Sequence, residues 1–128
     1  MSIKNLREHL SNSSIDALEK EYNDVRTTPY NLKSDKLQDL IACFISTDEI
    51  EAVNNMSMLI AYLNIDIAPS LIIGKLLSGR YNNNGGTLLY SLLDLDYKGF
   101  ESELKSLWRL PISYEMQNML QLLQISEE

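Results

Sequence analysis

Residues 41–73, IACFISTDEIEAVNNMSMLIAYLNIDIAPSLII, decide the fold. Ile50, Val53, Met56, Leu59, Ile60 and Leu63 recur three and four residues apart, the spacing that gathers side chains on one side of a helix. Ahead of them, Leu37, Leu40, Ile41, Phe44 and Ile45 line one face of another helix, with Ser34 as its cap. Ser46-Thr47-Asp48-Glu49 separates the two and carries a capping box. In such a box the serine accepts from the new helix's first amides, and the glutamate three residues on reaches back. Asn64 to Ala68 forms a short linker, and Pro69, with no N–H to satisfy, opens the following helix.

The same periodicity extends in both directions. Ile3, Leu6 and Leu10 make a short stripe; Ser13, Ser14 and Asp16 provide capping groups; Ile15, Leu18, Tyr22 and Val25 continue at helical spacing. Thr27-Thr28-Pro29 stops that helix, and a loop runs to Lys33. Past the linker, Leu71, Ile72, Leu76 and Leu77 lead to Gly79, a helix terminator. Residues 80–86 are loop-like, and Gly86 or Thr87 starts a helix with Leu88, Leu89, Leu92, Leu93 and Leu95. Phe100, Leu104, Leu107 and Trp108 form the next helix, stopped before Pro111, and Ser113 caps the last, with Met116, Met119, Leu120 and Leu123. This predicts about eight helices of roughly ten to sixteen residues. Apolar–polar alternation of the strand kind is missing, so the fold class is all-α. Residues 1–128 are expected to form one domain, in which short loops make neighbouring helices antiparallel.

Charge narrows the function classes. The chain carries a net −7, unevenly spread: in residues 34–68 only Lys36 opposes Asp35, Asp39, Asp48, Glu49, Glu51 and Asp66, a local net of −5. A phosphate backbone repels such a surface, so no nucleic-acid partner is expected. A basic protein would be attracted to it, although acids also serve helix N-termini. The N-terminus has no signal-like apolar core, and no apolar run reaches bilayer length; a cytoplasmic protein without a membrane partner is the expectation. The single cysteine, Cys43, lies among apolar neighbours and cannot form an internal disulfide.

Catalytic and ligand-binding patterns are sparse. His9 is the one histidine and sits on a short helix beside Arg7 and Glu8, so a Ser-His-acid site would have to be assembled around a surface residue. Cys43 has no evident base, and a zinc cluster of the His/Cys type fails on residue count. Asp94 and Asp96 point apart on a helix, and Asp48, Glu49 and Glu51 suit a helix's first turn. Asn82-Asn83-Asn84-Gly85-Gly86-Thr87 could cradle a phosphate at a helix start, yet it lacks the P-loop lysine and a preceding strand. No catalytic residue, metal, cofactor or small-molecule substrate is expected.

Residues 69–78 pair with 87–95, and 100–109 with 114–124, about thirty residues from the start of one pair to the next, loosely the period of helical-hairpin repeats. Gly86-Thr87-Leu88-Leu89-Tyr90-Ser91-Leu92-Leu93-Asp94-Leu95-Asp96, followed by Ile112-Ser113-Tyr114-Glu115-Met116-Gln117, resembles HEAT-type repeats of small bacterial proteins. Some of those are immunity partners encoded beside polymorphic or contact-dependent toxins. The resemblance covers about the last sixty residues, and the first half departs from the pattern. It implies a short α-solenoid (HEAT/armadillo-like) that binds a cognate protein toxin and neutralises it; the acidic charge of the chain would complement a basic, nuclease-type toxin. The family has no shared catalytic residues to carry over.

In such a solenoid the second helix of each hairpin lines the concave face. Tyr62 and Asp66 would then end one helix near Tyr90 and Asp94 of the next, and these four are the expected partner-binding residues. The competing assignment makes the two tyrosines packing residues. The competing functions are a helical-repeat adaptor that binds proteins without inhibiting them, and an enzyme built on carboxylates. A DNA-repair scaffold would need a basic groove.

Overall fold

A computed structural model describes residues 2–27, 35–95 and 99–127. The described residues form α1 (Ile3–Asn12), α2 (Ile15–Glu21), α3 (Asn23–Thr27), α4 (Asp35–Ser46), α5 (Ile50–Leu63), α6 (Ala68–Leu76), α7 (Gly86–Asp94), α8 (Glu101–Lys105), a 3-10 turn (Ser106–Arg109) and α9 (Tyr114–Leu122). No strand occurs among them, so the fold class is all-α. The chain divides into two compact units, residues 1–65 and 66–128. The expected cap Ser34, the loop to Lys33 and the carboxylate Asp96 lie outside the described residues.

In the first unit α5 is the axis: α1, α2, α3 and α4 all pack on it. Ala52, Val53, Met56, Leu59 and Ile60 are completely buried there, which explains why this helix is apolar over more of its circumference than a surface helix. From α4 the core receives Leu37, Leu40, Cys43 and Phe44. Ile45, expected on that face, is 62% exposed; the buried stripe runs through Cys43 and Thr47 instead, rotated by about one position.

Local signals act at most of the expected ends, with three differences. The helix expected from Ile15 through Val25 breaks at Tyr22, whose ring turns into the core while its backbone leaves the helical region (φ −101°, ψ 8°). Ser14, rather than Ser13, accepts the capping bond from Ala17 N–H at 3.2 Å, because the Ser13 hydroxyl donates back to the His9 carbonyl at 2.6 Å and closes α1. The capping box at Ser46–Glu49 does not form. Glu49 is itself the N-cap and makes no side-chain capping bond, and the Ser46 hydroxyl donates to the Cys43 carbonyl.

Burial pushes the Tyr22 hydroxyl up from 10.0 to about 12, with Glu21, Cys43, Asp39 and Asp24 adding to the effect. The protonated form is therefore favoured in the folded chain. Its contribution is intact below pH 10.0, where the unfolded phenol begins to ionise, and is lost as pH rises toward about 12. An alkaline absorbance titration should show a tyrosine step for Tyr22 above the ordinary phenol range, with stability falling across the same interval. Tyr22→Phe should remove that late step. A titration curve unchanged by Tyr22→Phe above pH 10.0 would contradict it.

In the second unit, Pro69 is the second residue of α6, which packs against α7. Gly79, at φ +82°, turns the chain after α6 in the left-handed region where glycine carries no penalty. The second expected hairpin, 100–109 with 114–124, is replaced by a different principal pairing: α9 packs on α7. Their first turns meet. Ser113 N–H donates to the Asn82 carbonyl at 3.0 Å, and the Glu115 side chain fills the space that a β-carbon on Gly86 would need. Trp108 Nε1–H donates to the Ile125 carbonyl at 3.0 Å and ties the 3-10 turn to the end of the chain.

Candidate functional site

The four expected partner-binding residues divide between the units. Tyr62, in the last turn of α5, belongs to the first; Asp66, Tyr90 and Asp94 belong to the second. Asp66 does not end a helix with Tyr62. Asn64 adopts the left-handed conformation (φ 52°, ψ 41°) and stops α5 at Leu63, so Asp66 stands exposed in the turn before α6. Tyr90 and Asp94 lie four apart on α7 and share its outer face; both are exposed, Tyr90 by 55%.

Tyr62 is held in place. Its hydroxyl donates to Asn23 Oδ1 at 3.1 Å, and the Arg26 guanidinium lies over its ring, 4.4 Å from the centroid. Beside it an open cleft of about 380 Å³ is lined by Asp16, Glu19 and Lys20 of α2, Asn23 of α3 and Tyr62 itself. No motif along the chain announces this grouping. The acids on α2 are visible in the chain, but that α2 packs on α5 is a tertiary fact.

The acidic middle block is exposed throughout: Asp35, Asp39, Asp48, Glu49, Glu51 and Asp66 all face solvent. Lys36, the base among them, is engaged with residues outside the block. Its ammonium bonds Asp24 Oδ1 at 3.0 Å, donates to the Glu21 carbonyl and sits 4.7 Å from the centre of the Tyr22 ring. The Lys36 hydrogen bond holds the Asp24 carboxyl below its usual range. Lys36 thus screens α2 and α3, leaving the acids of α4 and α5 to set the field on their own faces.

A Ser-His-acid row does exist, and its geometry is structural. His9 Nε2 lies 2.9 Å and 3.0 Å from the two Glu21 carboxylate oxygens, and its Nδ1 is 3.4 Å from Ser13 Oγ. A nucleophilic serine must hand its proton to the imidazole. The Ser13 proton is instead given to the His9 carbonyl at 2.6 Å, so the row closes the end of α1 and joins it to α2. Cys43 is fully buried, with Thr47 Oγ1 at 3.7 Å. Among the described residues no three His, Cys, Asp or Glu side chains are placed to hold a metal ion. No described helix is long and apolar enough to cross a membrane. At the glycine-rich start of α7, where a phosphate would bind, the Glu115 side chain already packs against Gly86.

No protein-family model, curated protein or solved structure gives a significant match to this chain.

Proposed function

We propose that this protein binds a basic protein through its acidic helical surface, and that it acts as an immunity protein, neutralising a toxin domain by occupying it. One observation carries the reading: Asp35, Asp39, Glu49 and Glu51 of the first unit are exposed, while Lys36, the base among them in the sequence, is engaged with Asp24 and Tyr22. A surface of one sign speeds encounter with a partner of the other and rejects like-charged competitors. Nuclease-type toxins, which must attract phosphate, present such basic clefts. The reading assigns binding and no catalytic step, in a cytoplasmic setting without nucleic acid or membrane. A short solenoid is supported by α7, which packs on both α6 and α9 as the second helix of a stacked hairpin would.

Capture with the product of the adjacent reading frame, followed by growth rescue, tests the proposal. Co-expression should restore growth, and affinity should fall as salt is raised. Charge reversal at Asp66 and Asp94 should weaken capture about tenfold. Unchanged affinity in an intact fold removes those two from the interface, and absence of rescue removes inhibition. An adaptor role is favoured by a different feature, the outer side of α9, where Tyr114 and Leu122 are 77% and 61% exposed. Capture without rescue, lost on Tyr114→Ala and Leu122→Ala, would select it.

A further inference from the structure

We infer that the cleft beside Tyr62 is a receptor for an arginine side chain presented by the basic partner, an inference that rests on the reading of this protein as a binder of basic proteins. Three observations converge on it. The first is shape: the cleft is open to solvent and holds about 380 Å³, which fits a side chain delivered from outside better than an enclosed metabolite.

The second is charge. Of the four acids on α2 and the start of α3, Glu21 is engaged by His9 and Asp24 by Lys36. Asp16 and Glu19 have no ion-pair partner among the described residues, and both line the cleft. Lys20 offsets one of the two charges, leaving the lining net negative.

The third is the aromatic wall. Tyr62 is fixed by Asn23 at its hydroxyl and by Arg26 over its ring, so little side-chain freedom remains to be lost on binding. Arg26 does not line the cleft, and the ring borders it all the same. Two carboxylates beside a fixed tyrosine suit a guanidinium better than an ammonium. The planar fork pairs with a carboxylate through two N–H bonds while its face stacks on the ring, and an ammonium offers a point charge alone.

The test is an NMR titration of the intact protein with N-acetyl-arginine amide, using N-acetyl-citrulline amide as the neutral isostere and N-acetyl-lysine amide as the other cation. Saturable shifts are expected at the Asn23 side-chain amide and the Asp16 and Glu19 backbone amides. Lysine should bind several-fold more weakly and citrulline not detectably. The double variant Asp16→Asn, Glu19→Gln replaces one exposed and one half-buried carboxylate by amides of the same shape, should keep the fold, and should weaken arginine binding about tenfold. Equal shifts from citrulline, or unchanged binding by the double variant, would overturn the inference. Partner capture separates the two claims. If wild type and double variant capture a basic partner equally, the cleft falls and the wider reading stands. If arginine saturates the cleft while no basic partner is captured, the wider reading falls.

Discussion

Phe44→Ala will destabilise the first unit by about 3–5 kcal/mol. Phe44 is the largest completely buried side chain among the described residues, carried by α4, which packs on both α1 and α5. Truncation removes the apolar area that drives burial and leaves a cavity that helices fixed on either side cannot close. A unit of 65 residues holds roughly 3–10 kcal/mol in total, so the loss takes much of its stability. Hydrogen exchange in native conditions should show the amides of α4 and α5 losing protection together. Phe44→Leu, which keeps most of the volume, should cost about 1–1.5 kcal/mol. A penalty for alanine below that of leucine would mean that the site collapses freely and that α4 is not anchored as described.

Asn55→Asp should rank next, at about 2–4 kcal/mol. Asn55, on α5, donates its side-chain amide to the end of α1, with Nδ2 at 2.8 Å from the Leu10 carbonyl, 3.1 Å from Ser13 and 3.4 Å from Ser11. The last carbonyls of a helix have no partner within it, and this one side chain from a neighbouring helix serves them. Alanine leaves those oxygens unsatisfied, at about 1–3 kcal/mol. Aspartate does worse, because it turns a carboxylate toward carbonyl oxygens. The aspartate variant should recover part of its stability on acidification, since a protonated carboxyl can donate one bond again, and the alanine variant should not. Urea unfolding at two pH values checks the pair. An aspartate variant as stable as alanine at neutral pH would show that Asn55 contributes packing alone.

Several of the exposed acids at issue were legible as a charge block, and Tyr62, Tyr90 and Asp94 were legible as polar or aromatic residues at helical spacing. Their grouping was not. Asn64 illustrates why: the linker was expected from this residue, but its left-handed backbone, which sends Asp66 into the turn before α6 and not onto the end of Tyr62's helix, is set by one residue's φ and ψ. Lys36 illustrates it again, since a base counted within the acidic block bonds to Asp24, twelve residues earlier.

The chain by itself determined that this protein is helical, where most of its helices begin and end, and which residues are apolar enough to be inside. Those properties are set over three or four residues, by side-chain spacing and by hydroxyls that meet nearby amides, so they can be read locally. Tertiary packing decided that α5 is the axis of the first unit, that α9 lies on α7, that Asn55 closes α1, and that Tyr62 stands beside Asp16 and Glu19. Contacts between residues on different helices depend on which faces find one another, and apolar burial, which drives the choice, carries no direction of its own.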